Sequence, residues 1–189
     1  MGLKQEDRAM QKADAALNEE CRRQFLLTYG AAAIALKNKW RFGQPKILKV
    51  FDSTEEIWHE VGEDNNVSML AQLENETGIE MTLTNSSTSW HDLNYLNGAM
   101  PKFDRMTKAQ YIFMRNKQRT WMGAVVQACL YLALYRNFEF GTTKLEHLMG
   151  EIGEIREGLG QKEKRIIEAC RLATGINILD RFTKKGWAE

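Results

Sequence analysis

Two prolines among 189 residues leave few places where a helix is forced to stop. Helix interiors exclude proline, and the abundance of Met, Leu, Ala, Glu and Lys favours an all-α fold. Only three cysteines are present, Cys21, Cys129 and Cys170, with no C-x-x-C spacing. That rules out a disulfide framework or a zinc ribbon, and their apolar neighbours predict buried, reduced thiols. Long hydrophobic runs are also missing. The longest, Trp121–Tyr135, contains Gln127 and falls short of the ~20 residues that cross a bilayer. It reads instead as a central helix buried nearly all round. The first ten residues are charged, without the apolar core of a signal peptide, and Glu6 stands where a myristoylation signal needs Ser or Thr. A soluble protein of the cytoplasm is the expectation. Net charge is close to absent at +1, which argues against an indiscriminate polycation and against an acidic DNA mimic. No phosphate loop, nucleophile elbow or dinucleotide fingerprint occurs. The chain is therefore expected to be no enzyme and to need no cofactor.

What the chain does contain is one phrase twice. "ALKNKWRFGQPKI" (Ala35–Ile47) returns as "ALYRNFEFGTTKL" (Ala133–Leu145), 98 residues later. Ala35, Leu36, Phe42, Gly43, Lys46, Glu56, Ile57 and Gly62 recur at that offset. After a one-residue slip, Thr77-Gly78-Ile79 lies over Thr174-Gly175-Ile176. Two collinear matches point to a tandem duplication, which bears directly on the fold. Each copy reads as three helices: Asn18–Lys39, Pro45–Val61 and Asn66–Glu76, then Ala109–Asn137, Thr143–Leu159 and Lys162–Ala173. An aromatic-x-aromatic-Gly corner ends the first helix, with glycine expected to supply the left-handed turn, and "TG" ends the third. "IEMTLT" alternates in polarity and predicts a short strand, with "INILDRF" as its partner in a ribbon. The expected architecture is two three-helix modules, 1–83 and 103–189, fused as a pseudo-dimeric bundle by a polar and aromatic linker, 84–102. A three-helix unit of ~60 residues has a marginal core, and fusion lets two of them share one. A monomer or a homodimer is expected.

Charge is sorted beneath the near-neutral total. Lys37, Lys39, Arg41, Lys46 and Lys49 surround the first corner with no acid between them. Residues 51–80 then hold nine acids and no Lys or Arg. The acids Glu55, Glu56, Glu60, Glu63 and Asp64 form a candidate face for a basic protein surface, where opposed potentials speed and orient association. The linker aromatics Trp90 and Tyr95 are candidate anchors for the same partner. The alternative surface is basic. The first corner, with Trp40 beside its lysines, suits a phosphate backbone and a stacked base. Arg105, Lys108, Arg115 and Arg119 extend it as one helical stripe. In the second copy Glu139 replaces Arg41, so the charges have diverged where the scaffold has not.

Metal chemistry finds little purchase. Glu56 and His59 have a di-iron spacing, but the second copy reads Glu154-Ile-Arg-Glu157, so no metal site is expected. "HLMGEIGEIREGL" (His147–Leu159) resembles the first acidic helix of MazG-type nucleoside triphosphate pyrophosphatases. The resemblance implies Glu151 and Glu154 as half of a magnesium site. The other half is missing, since Arg171 stands three residues after Glu168.

The recurring residues Ala35-Leu36, Phe42-Gly43, Lys46-Ile47 and Thr77-Gly78-Ile79, with their second set, resemble small helical proteins of phages and prophages of Gram-positive bacteria. That resemblance implies a phage accessory protein acting inside a bacterial host, on phage genes or on host machinery such as CRISPR defence. The leading expectation is a non-enzymatic protein that binds and modulates a host or phage protein. A nucleic-acid-binding regulator and a MazG-like hydrolase are the alternatives.

Overall fold

The computed structural model describes residues 2–61, 66–82, 88–91 and 106–184. Their helices are α1 (Gly2–Trp40), α2 (Gln44–Val61), α3 (Asn66–Thr77), α4 (Lys108–Phe138), α5 (Thr142–Gly158), α6 (Glu163–Thr174) and α7 (Leu179–Lys184). The fold is all-α. Among the described residues no helix is long and apolar enough to cross a membrane.

The long helices α1 and α4 lie side by side and run in the same direction. Lys108 pairs with Asp7 and Arg115 with Asp14, each at 2.9 Å, stepping by seven on both helices as in a parallel coiled coil. Tyr111 donates its hydroxyl to Asp14 in the same seam. At the far end the two corners meet. Trp40 packs on Phe140, and the Phe42 ring stands edge-on to Phe140 at 5.9 Å between centroids.

The shorter helices cross over. α2 and α3 pack chiefly on α4, whereas α6 and α5 pack on α1. One continuous core results, and it draws on every helix. Tyr29 stacks flat on Phe51 at 4.1 Å, and Phe25 meets Trp58 edge-on, which ties α1 to α2. Gly30 lets α6 approach closely, because a Cβ there would collide with the Cγ2 methyl of Ile166. All three cysteines are buried, and burial pushes the Cys129 and Cys170 thiols up, away from reactive thiolates.

Three expectations need correction. First, the left-handed residue at each corner is Arg41 (φ 58) or Glu139 (φ 59), not the glycine. Gly141 instead sits extended as the N-cap of α5. The next amide closes the turn: Phe42 N–H donates to the Leu36 carbonyl at 3.1 Å, and Phe140 N–H to Leu134 at 3.3 Å. Second, the strand over "IEMTLT" is a single bridge, Thr82 to Ser89, and "INILDRF" turns into α7, so among the described residues there is no ribbon. Ile79 and Met81 alternate because both are pegs in the core. Third, α1 begins 16 residues before Asn18. Its early turns are held by the seam with α4, not by an amphipathic face of their own.

The "TG" stops behave as read. Gly78 (φ 74) and Gly175 (φ 75) are left-handed. The preceding threonines donate to the carbonyls of Leu73 and Cys170, both at 2.7 Å, and accept from the amides of Ile79 and Ile176.

Candidate nucleic-acid interface at the paired corners

Because α1 and α4 are parallel, everything encoded at a corner arrives at one end of the molecule. Lys37 and Lys39 occupy the last turn of α1, Arg41 the left-handed turn, and Lys46 and Lys49 the first two turns of α2. All five are exposed. Lys39 reaches across to Glu151 at 2.8 Å, whose hydrogen bond and charge raise the pKa of its ammonium. Lys46 lies over the Phe42 ring, 3.9 Å from its centroid. Among the described residues Lys37, Arg41 and Lys49 form no ion pair. Trp40 is half-buried against Phe140 and belongs to the packing of the corner rather than to its open face.

A cleft of about 720 Å³ opens beside these cations, between the first turns of α2 and the end of α4. Lys46, Lys49, Ser53 and Glu56 line it from α2, and Asn137 and Phe138 from α4. At the 98-residue offset the same positions in the other half are Lys144, His147, Glu151, Glu154, Lys39 and Trp40. There Lys39 spans the gap to Glu151. Asn137 and Ser53 stand where that ion pair would be, so the first cleft has no such bridge.

The acidic face disperses. Glu55 is 6% exposed and is held by Arg181 at 2.8 Å, which also grips Asp52 at 2.7 Å. Glu55 therefore cannot meet a partner: its carboxylate is consumed by a guanidinium that is itself only 12% exposed. Burial disfavours the charged Arg181, but the hydrogen bonds and charges of Asp52 and Glu55 outweigh it and raise the pKa. Glu76 is paired with Arg136, and Glu80 accepts from the Ser89 hydroxyl. Trp90 is not presented outward; it is 5% exposed and donates its indole N–H to Glu74 at 2.5 Å. His91 approaches the same carboxylate at 3.2 Å. Glu56 and Glu60 remain exposed. Glu63, Asp64, Tyr95 and Arg105 lie outside the described residues.

The basic stripe on α4 is corrected too. Its sector faces α1, so Lys108 and Arg115 staple the seam to Asp7 and Asp14, leaving Arg119 exposed. The half-site implied by the MazG resemblance faces a lysine: Lys39 pairs with Glu151, and the Glu154 charge also acts on its ammonium. Among the described residues no group of three His, Cys, Asp or Glu side chains is placed to hold a metal ion.

Reading the sequence for charge found the cations but missed the cleft. Asn137, Phe138 and Ser53 were visible only as departures from Lys39, Trp40 and Glu151 in the other half. No protein-family model, curated protein or solved structure matches the chain.

Proposed function

We propose that the chain is a non-enzymatic nucleic-acid-binding protein, which holds a phosphate backbone at its paired-corner end. The observation that carries this reading is the convergence of five exposed cations at one end with a single ion pair among them. Two of them have an ordinary structural reason, because Lys37 and Lys39 at the end of α1 offset the negative end of its dipole. The others do not. Lys46 nevertheless sits in the first turn of α2, where the dipole is positive, and no acid pairs with it among the described residues. Arg41 holds a left-handed conformation that costs about 1 kcal/mol without glycine. A bound phosphate offsets the first of these costs. Of the acids in residues 51–80, Asp52, Glu55, Glu74, Glu76 and Glu80 are engaged within the fold, while Glu56 and Glu60 stay exposed.

The near-neutral total shapes the expected behaviour. Affinity must come from this local patch, so it is modest and steeply salt-dependent. The resemblance to phage accessory proteins supplies the setting, a regulator working on nucleic acid inside a bacterial host. The matching turns at Arg41 and Glu139, and at Gly78 and Gly175, support reading the two halves as a tandem duplication. In that reading one copy kept the basic corner and the other exchanged it for Glu139.

The test is fluorescence anisotropy with labelled single-stranded and duplex 20-mers across a salt series. Three neutralised phosphates predict a log–log slope near −3 on duplex, by about −0.9 per phosphate. The triple variant Lys37→Glu/Arg41→Glu/Lys49→Glu should abolish binding and leave the fold intact. Absence of binding at low salt, or a triple variant that binds like the parent, would sink the reading.

A further inference from the structure

We infer that the open cleft between α2 and the end of α4 is a pocket for one nucleotide unit, its base inside and its phosphate on the lysine rim. This rests on the backbone-binding reading and adds the part of the ligand that enters the protein. Three observations bear on it.

The first is size and place. A cleft of about 720 Å³ falls within the ordinary range of small-ligand pockets, ~300–1,000 Å³, and it opens directly beside the exposed Lys46 and Lys49. The second is lining. Phe138 offers an aromatic surface to a base, and the Asn137 amide and Ser53 hydroxyl each both donate and accept. Glu56 accepts from an exocyclic amine. It is the one carboxylate of the cleft outside an ion pair among the described residues, since Asp52 is engaged by Arg181. The third is the contrast with the other half. There the corresponding positions are joined by the Lys39–Glu151 ion pair. Two departures, Asn137 for lysine and Ser53 for glutamate, remove both ends of that bridge together.

A duplex keeps its bases stacked and paired, so a pocket that takes a base requires a single strand or a free nucleotide. Backbone binding alone carries no such preference. The pocket is expected to favour single strands by about ten-fold, the scale of stacking one base.

The experiment uses the full chain with a labelled single-stranded 12-mer and its duplex at low salt. The double variant Ser53→Glu/Asn137→Lys installs the ion pair of the other half across this cleft without changing net charge. It should bind duplex as the parent does and lose the single-strand preference. Ser53→Phe, which fills the cleft from α2, should do the same. Excess free nucleoside monophosphate displaces the single strand if the unit is recognised alone. Displacement only by a short oligonucleotide is what backbone binding alone gives and counts against a pocket for a single unit. Equal binding of both strands by the parent overturns the inference while leaving backbone binding standing. A preference that survives both variants overturns it as well. Failure to bind either probe removes the backbone reading beneath it.

Discussion

Replacing Gly30 with alanine should destabilise the protein, although the same change in an exposed helix would stabilise it. Glycine in a helix interior costs about 1 kcal/mol relative to alanine, so propensity alone favours the substitution by that amount. The obstacle is α6. A Cβ on Gly30 falls inside the Cγ2 methyl of Ile166, with Ile178 Cδ1 at 3.2 Å and the Ile166 carbonyl oxygen at 3.5 Å. Comfortable carbon–carbon contact begins at about 3.5–4.0 Å. Isoleucine in a helix is nearly confined to one χ1 rotamer, so the methyl cannot swing aside and α6 must move as a body. Overpacking of this kind costs about 1–3 kcal/mol, and a backbone shift belongs at the upper end. The balance is a loss of about 2 kcal/mol, or a fall in Tm of about 4–8 °C for a chain of this length.

Urea unfolding followed by circular dichroism measures it, with the slope m held against the parent's to confirm a stability effect. A double-mutant cycle isolates the contact. Ile166→Ala alone leaves a cavity and costs about 2–4 kcal/mol, but Gly30→Ala in that background should restore about 1 kcal/mol, since the new methyl enters vacated space. A more stable Gly30→Ala protein would refute the close approach of α6 to α1. Additive single effects would refute it equally.

Two further outcomes test other joints. Arg181→Met should cost about 3 kcal/mol by chemical denaturation, because it strands the buried Glu55 carboxylate, and adding Glu55→Gln should recover part of the loss. No recovery would mean that Arg181 matters for packing on Phe51 rather than for charge. Glu139→Gly should stabilise the chain by about 0.5–1 kcal/mol, seen as a raised Tm, because glycine holds φ near 59 without the Cβ penalty. An unchanged or lowered Tm would show that the left-handed turn carries no strain there.

How much of this was legible depends on how local its cause is. Helix ends set by a neighbouring residue were readable: "TG" at Gly78 and Gly175 stops α3 and α6 by a left-handed glycine and a threonine that recaptures its own helix. The corner turn was misread by two residues because the glycine is the obvious left-handed candidate, yet Arg41 and Glu139 take that role. The early turns of α1 were invisible, since Asp7 and Asp14 find their partners about a hundred residues away. Glu55 looked like one more surface acid for the same reason, its guanidinium being 126 positions distant. Alternation at Ile79 and Met81 imitated a strand, because two core pegs separated by one exposed residue have the same period as a pleat. The sign of the corner's charge needed no partner and was read directly.

The cleft is a different case, because neither half contains it. Its floor and rim come from α2, in the first half, and its far wall from Asn137 and Phe138, in the second. The corresponding positions of the other half are joined the opposite way, with Lys39 of the first half bridging to Glu151 of the second. A homodimer of either half would repeat every position and would carry two identical clefts, both open or both bridged. A single chain with crossed packing escapes that constraint. Changing lysine to asparagine at the end of one long helix, and glutamate to serine on the short helix that crosses to it, opens one cleft and leaves the other bridged. The open cleft lies beside the corner that carries Lys37, Lys39, Arg41, Lys46 and Lys49. The asymmetry between the halves is thus what leaves one cleft unbridged, and in the proposed reading the substitutions that restore symmetry are the ones that should remove its single-strand preference.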